Sequence, residues 1–315
     1  MKTWSDLHPA LVGHVTPESI AALERQMMAI VQNSDSFDSL APCLAAAAAQ
    51  YHLGSGGQRI RAILALHAGN RLGLSEKNCQ TLAAACELLH NASLIHDDLH
   101  DRDTQRRGQP SVWHKFGDEV AVCAGDLLLS ASYLALSQLN GVARLPALFA
   151  LMHARIASAI RGQCADLRRL THRALTIGDF KNIAITKSGA LLSLPTELAL
   201  LAAGQDLALV RARQAAVTFA IAYQIHDDLI DVEADAFRNS IKSPFNNQTG
   251  NSTACNIVII LESDPNCIDA RVEAKRIGLD HLSLAASVSA ELPLHSGDAL
   301  HAMCLQLQDE LEYLE

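Results

Sequence analysis

An all-α fold is predicted for this chain on three observations. Ala and Leu dominate, and only 4% of residues are aromatic, which favours helix over strand. Apolar residues recur at helical spacing in one segment after another. Convincing period-two alternation of the strand type is missing. The chain has 315 residues, 49% of them hydrophobic, enough for a large core. No linker divides it, so residues 1–315 are read as a single domain, a helical bundle.

The elements follow in order. Thr16-Pro17-Glu18 is a helix start: a capping Thr, Pro in the first turn and an acid near the positive end of the dipole. The helix that follows, 18–32, carries Ile20, Leu23, Met27 and Ile30 at helical spacing. Further helices are expected over 38–52, 58–73, 75–100, 118–139, 143–170, 177–203, 207–232, 268–290 and 296–313. Val258–Leu261 is short and apolar and is read as the continuation of a helix. Leu191–Ala203 is the richest apolar stretch, but Pro195 and Glu197 interrupt it, so it is read as a buried helix rather than a membrane span. Arg102–Gly117 and Asp235–Thr253 are read as irregular, and long polar loops inside a compact domain are usually functional.

Charge and cysteine usage narrow the function classes. A formal net charge of -9 makes general nucleic-acid binding a poor fit. It does not exclude a polyanionic ligand, because bound metal ions reverse the local charge. The 8 cysteines are scattered without a CxxC pair, and they are read as reduced thiols in a cytoplasmic protein. Met1–Val15 holds no apolar signal core, and no transmembrane segment is expected.

One short pattern occurs twice. Ile95-His96-Asp97-Asp98-Leu99-His100-Asp101 returns as Ile225-His226-Asp227-Asp228-Leu229-Ile230-Asp231. Each copy is expected to end a long apolar helix. The first and last Asp of each lie at i,i+4 and share a helix face. Carboxylates at a helix C-terminus and like charges at i,i+4 are both unfavourable, so a cation is needed to offset them. Magnesium takes one or two carboxylates and completes its shell with water and substrate phosphate. Asp97, Asp98, Asp101, Asp227, Asp228 and Asp231 are therefore candidate metal ligands gripping one diphosphate. A single such motif would be read as a solvated helix end. His96 and His226 are read as packing residues, since magnesium prefers oxygen.

With these clusters stand, in order, Gly56-Gly57-Gln58-Arg59-Ile60-Arg61, His90, Arg106-Arg107-Gly108-Gln109-Pro110-Ser111, Gly125-Asp126, Gly162-Gln163 with Asp166, Lys187-Ser188-Gly189, and Gln224. On these motifs the chain resembles the trans-isoprenyl diphosphate synthases (polyprenyl synthetases) from about Gly56 to Thr253. The resemblance implies a helical bundle around a deep central cavity, usually a homodimer. It implies condensation of an allylic prenyl diphosphate with isopentenyl diphosphate to a longer all-trans product. Several Mg2+ ions would bridge the aspartate clusters and the substrate diphosphate. Asp97, Asp98, Asp101, Lys187, Asp227 and Asp228 would form the catalytic set. Arg106, Lys187 and Gln224 would contact the allylic diphosphate. Gln58, Arg61, His90 and Arg107 would hold isopentenyl diphosphate. Leu88, Leu89 and Ala92 would line the chain-length pocket. In the family a large aromatic closes that pocket near the position of Ala92, so a small Ala implies a product of geranylgeranyl size or longer.

Three positions depart from the family pattern. Gln58 stands where Lys is usual, Ala62 where Pro is usual, and Asn251 where a phosphate-binding Lys is expected beyond the second cluster, with Lys242 in the same loop. Replacing a charge-assisted contact by Gln would weaken binding by about 1.5–3 kcal/mol. Three other readings therefore stand beside the synthase: a synthase-derived terpene cyclase or lyase, a prenyltransferase with an unusual acceptor, and a non-catalytic partner subunit.

Overall fold

Short polar caps set the helix starts. Thr16 and Ser19 bond reciprocally, Ser19 N donating to Thr16 Oγ1 (3.2 Å) and Thr16 N to Ser19 Oγ (3.0 Å). They open helix α1, Pro17–Asn33. Ser75 Oγ accepts from Asn78 N at the start of a 26-residue helix, and Thr176 with Asp179 forms a full capping box further on. Asn256 and Asp269 each accept backbone N–H bonds at later helix starts. Each cap satisfies donors that the first helical turn leaves unpaired.

The computed structural model describes residues 15–33, 43–168, 175–240 and 255–314, excepting the side chains of 33, 168 and 233–240. After α1 come α2 (Leu44–Gly54), α3 (Ile60–Arg71) and α4 (Glu76–Asp101). A two-stranded hairpin follows, β1 (Gln105–Arg106) and β2 (Gln109–Pro110), then α5 (Val112–Phe116), α6 (Asp118–Ser137) and α7 (Leu145–Arg168). Helix α8 (Ile177–Ala184) runs through a π-helical turn, Ile185–Gly189, into α9 (Ala190–Ala202). The chain closes with α10 (Leu209–Ser240), α11 (Ile257–Glu262), α12 (Ala270–Ala290) and α13 (Asp298–Tyr313).

Several expectations are corrected or bounded. Helix α10 runs on to Ser240, so the second aspartate motif lies inside a helix, not at its end. The unfavourable dipole at the helix terminus therefore acts on the first motif only. Arg102–Gly117 is not irregular throughout: it contains the hairpin and α5. The helix expected through Leu191–Ala203 forms as α9, with Pro195 inside it at the loss of one backbone donor. Val258–Leu261 belongs to α11, a short helix with its own Asn256 cap. The expected helix over 38–52 is described only from residue 43. Lys242 and Gly250–Thr253, with Asn251, lie outside the described residues.

Two compact units make up the chain. The first holds the described residues up to Leu151 together with Pro195–Asp206. Within it α6 packs along α4. The buried side of α6 is built from Ala121, Ala124, Gly125, Leu128, Ala131 and Ala135, and small residues at helical spacing let the helices approach closely. By length and composition α6 could cross a bilayer, but its apolar side packs on α4 of the same unit, where Leu82, Leu88 and Ile95 are fully buried. The second unit holds Met152–Leu194 and Leu207 onward. In it α10 packs along α12, with Ala215, Phe219, Ile225 and Leu229 buried on α10 and Ala274, Ile277, Leu282 and Ala285 on α12.

Gly125 shows how tightly α6 meets α4. A Cβ there would lie far inside van der Waals contact with Nε2 of the His96 imidazole. That ring reaches Val122 O (3.4 Å) and lies 3.7 Å from an oxygen of Asp126. The Gly-Asp motif thus serves first as a notch for His96. Gly125→Ala should destabilise the protein by about 1–3 kcal/mol through overpacking. His96→Ala in the same chain should restore most of the loss, which a double-mutant cycle of thermal unfolding reads as coupling.

Candidate active site

Both aspartate motifs present the same pattern. Asp97 and Asp227 are half-buried, Asp98 and Asp228 are buried, and Asp101 and Asp231 are exposed. A helix turns about 100° per residue, so the i,i+4 pair shares the solvent side while the intervening Asp turns inward. The inward carboxylates bond to protein. Asp98 Oδ1 accepts from Arg106 Nε (2.8 Å) and Nη2 (2.5 Å). Asp228 Oδ1 accepts from Gln224 Nε2 (2.8 Å), and its Oδ2 accepts from the backbone N–H of Ile257 (2.7 Å). Asp228 therefore anchors the start of α11 to α10, helped by Asn256 Nδ2 donating to Asp228 O at 2.9 Å.

The hairpin delivers Arg106. Its two-residue loop is Arg107-Gly108, with φ of 52° and 74°, and Arg106 pairs with Gln109. Positive φ at both central residues is a type I′ turn, whose twist matches that of a hairpin. Tyr51 OH donates to Pro110 O (2.8 Å) and ties the far end to α2. Lys115 lies 3.6 Å over the Tyr51 ring. On the other flank Trp113 Nε1 donates to Asp103 O (2.8 Å), and Arg102 pairs with Asp118 (2.8 Å). The segment after the first motif is thus pinned at both ends.

Arg107 turns the opposite way from Arg106, onto the loop before α3. It donates to Ser55 Oγ (3.3 Å) and to Gly56 O. A Cβ on Gly57 would sit 2.7 Å from the Arg107 guanidinium carbon. Gly56 and Gly57 have φ of 81° and 135°, so this loop needs glycine for both its backbone and its close approach. The structure brings Arg61, His90 and Arg107 into one electrostatic cluster, joined by His52 and Arg106. Gln58 is half-buried in the same loop. Leu88, Leu89 and Ala92 are all buried on α4.

In the second unit, Lys187 lies in the π-helical turn, and its Nζ is 3.3 Å from Asp166 Oδ2 of α7. Gly162 makes this approach possible: a Cβ there would meet Lys187 N at 2.6 Å and Thr186 Oγ1 at 2.7 Å. Gly189 faces Val217 of α10, whose Cγ1 a Cβ would meet at 3.1 Å. Single π turns inside α-helices are frequent at functional sites. His226 is buried between Asp227 (3.4 Å) and Glu310 (3.6 Å).

The site residues respond to burial in opposite senses. Burial raises Asp98; Arg106 opposes the shift, and Asp103 and Asp101 reinforce it. Burial also raises Asp227, against His226 and with Asp231. His90 is held well below its ordinary value by burial and then by Arg61 and Arg107. His52 is pushed down to about 3 by burial and then by Arg107 and Arg106. Both imidazoles are neutral at pH 7.

Magnesium fits the donor set. Every candidate ligand is a carboxylate, the hard oxygen donor this ion prefers. Asp98 Oδ2 is buried without a hydrogen-bond partner, and a nearby cation would offset the upward shifts of Asp98 and Asp227. Among the described residues, no three acidic, histidine or cysteine side chains form a ready-made cage. Magnesium does not need one, since water and substrate phosphate complete its shell.

The sequence profile of the Polyprenyl synthetase family matches residues 42–271. The chain belongs to the polyprenyl synthetase family. It is 30% identical to a farnesyl diphosphate synthase of Bacillus subtilis over 280 residues, 86% of this chain and 92% of that protein. It is 33% identical to the chloroplastic geranylgeranyl pyrophosphate synthase of Capsicum annuum over 195 residues, 59% of this chain and 52% of that protein. The chain spans 62% of a short chain isoprenyl diphosphate synthase from Methanothermobacter thermautotrophicus. The crystal structure of geranylgeranyl pyrophosphate synthetase from Pyrococcus horikoshii shares the all-α fold, with a TM-score of 0.77 at 20% identity over 93% of this chain and 96% of that one.

Sequence reasoning missed several residues of this polyprenyl synthetase site. The motif Gly162-Gln163 with Asp166 gives no sign that Asp166 pairs with Lys187. Tyr51, His52, Ser55 and Glu87 carried no signal of their own, because each acts through a neighbour distant in sequence. The buried histidines have a stability consequence. Unfolded, His52 takes up a proton near pH 6.5; folded, it stays neutral down to about pH 3. Its contribution is therefore complete above pH 6.5 and is lost as pH falls below it. Between pH 7 and pH 5 the protein should lose about 2 kcal/mol through this group, with His90 adding in the same direction. Denaturant melts at the two pH values check this, and His52→Asn should flatten the slope.

Proposed function

We propose that this chain is a trans-prenyltransferase that condenses an allylic prenyl diphosphate with isopentenyl diphosphate, forming an all-trans prenyl diphosphate of geranylgeranyl size or longer. The observation that carries this reading is the pair of aspartate motifs, each setting an i,i+4 carboxylate pair on the solvent side of a rigid helix. Asp97 and Asp101, and Asp227 and Asp231, are the residues that would hold Mg2+. Bound there, magnesium supplies positive charge that stabilises the departing allylic diphosphate. Asp98 and Asp228 are assigned to orientation, each within its own unit: Asp98 fixes Arg106 and Asp228 fixes Gln224. Arg106, Gln224 and Lys187 are each assigned to the allylic diphosphate on the family resemblance. Neutral His90 donates one N–H, and Arg61 and Arg107 provide charge and forked donors, to isopentenyl diphosphate. Gln58 donates a neutral hydrogen bond in the same loop. The product length rests on Ala92, whose small side chain leaves room for a longer prenyl chain. We also propose that the protein is a cytoplasmic homodimer in which residues 1–315 act as one domain, a reading supported by family membership and by 8 cysteines scattered without a CxxC pair. Gln58 favours one second reading, a lyase that ionises a prenyl diphosphate without isopentenyl diphosphate.

A product assay separates the two. Purified protein with magnesium would receive geranyl, farnesyl or geranylgeranyl diphosphate, each with and without isopentenyl diphosphate. Longer diphosphates that form only with isopentenyl diphosphate are expected; hydrocarbons or alcohols formed without it would establish the lyase. Asp97→Ala and Asp227→Ala should each lower turnover more than about a hundredfold while the thermal midpoint stays near wild type, since each substitution relieves like-charge repulsion. Wild-type turnover in both would refute the metal assignment. Gln58→Lys should lower the KM for isopentenyl diphosphate about tenfold by restoring a charge-assisted contact. An unchanged KM would mean that this loop does not take that substrate.

A further inference from the structure

The loop Gly56–Arg61 is held in a conformation its sequence does not favour. Gly56 and Gly57 have positive φ, and so does Arg59, at 52°. A non-glycine residue in the left-handed region is strained, and such strain persists only where the surroundings over-determine it. Here an ion network centred on the buried Arg59 and Glu87 does so. Arg59, only 6% exposed, donates through Nε (3.1 Å) and Nη2 (2.9 Å) to Glu24 Oε1 of α1. It also donates to Leu53 O (3.3 Å). Its Nη1 lies 3.8 Å from Oε2 of Glu87, a residue of α4 that is 2% exposed. The other Glu87 oxygen, Oε1, accepts the backbone N–H of Ala62 (3.0 Å).

Glu87 therefore does two things from one carboxylate. It caps α3, whose own N-cap residue, Arg59, offers no side-chain acceptor. It also fixes the strained Arg59. The two contacts bracket Arg61, one at the adjacent Ala62 and the other at Arg59, two residues before it. Glu87 further lies one helical turn before His90 on α4, so it sets the spacing between the α3 loop and that imidazole. Arg107, which lies against Gly57, also feels the Glu87 charge.

We infer that Glu87 is a positioning residue for the isopentenyl diphosphate site, holding Arg61 and Arg107 in register with His90 through the Ala62 N–H and Arg59. The inference rests on the proposed reading that these three residues take that diphosphate. Glu87→Gln keeps an acceptor for Ala62 but removes the charge facing Arg59. Arg59→Lys keeps the charge but loses the fork.

The test measures binding of inorganic diphosphate by calorimetry in EDTA, which silences the aspartate clusters. It also measures steady-state kinetics with magnesium and both substrates, and thermal midpoints. Each variant should raise the diphosphate Kd and the KM for isopentenyl diphosphate about tenfold, and leave the KM for the allylic substrate within about twofold. A lowered thermal midpoint with wild-type Kd and KM values would overturn the inference, leaving Glu87 a stabilising residue only. Failure of the wild type to bind diphosphate would overturn it as well. If the wild type consumes no isopentenyl diphosphate but the variants still weaken diphosphate binding, the elongation reading falls and the positioning role stands.

Discussion

A buried carboxylate needs a donor, and that requirement organises the candidate site. Helix α4 is buried along most of its length, yet it carries Glu87 and Asp98 on its inner sides. Leaving either charge unpaired would cost several kcal/mol. Glu87 draws in the N-terminus of α3 and Arg59. Asp98 draws in Arg106 and with it the hairpin. Two loops that sequence alone leaves undefined are thereby tied to one rigid helix, and the residues between the ties are the candidate substrate ligands. A site built this way is pre-organised, because its supports are buried and bonded within the protein.

Helix α10 repeats the device with different partners. Asp228 is buried like Asp98, but it takes a side-chain amide and a backbone N–H where Asp98 takes a guanidinium. The outward pairs, Asp97 with Asp101 and Asp227 with Asp231, share geometry because helical periodicity fixes it. The inward partners differ because they depend on whichever segment happens to pack there. The two motifs are thus alike in what they offer solvent and unlike in what holds them.

Small residues make the packing possible. Gly125 admits His96, Gly162 admits the backbone of the π turn, and Gly57 admits Arg107. In each case a side chain would displace a residue of the candidate site or its support. The Ala and Gly content read from composition as helix propensity is therefore also a requirement for close approach.

The sequence by itself determined the all-α class, the order and approximate bounds of most helices, the paired aspartate motifs and the family. These are local quantities, set by residue period, caps and motif spacing. It did not determine that α10 continues past Asp231, because that extension has no separate stop signal near the motif. It did not reveal the hairpin at Arg106-Arg107-Gly108-Gln109, whose turn needs only two residues of positive φ, or the π turn at Lys187, which sits in a pattern that reads as unbroken helix. Which aspartate of each motif faces the solvent side was implicit in i,i+4 spacing, but the partners of Asp98, Asp228 and Glu87 were decided only by tertiary structure. Those partners come from segments distant in the chain, and which buried charge meets which donor is settled when helices pack, not along the sequence.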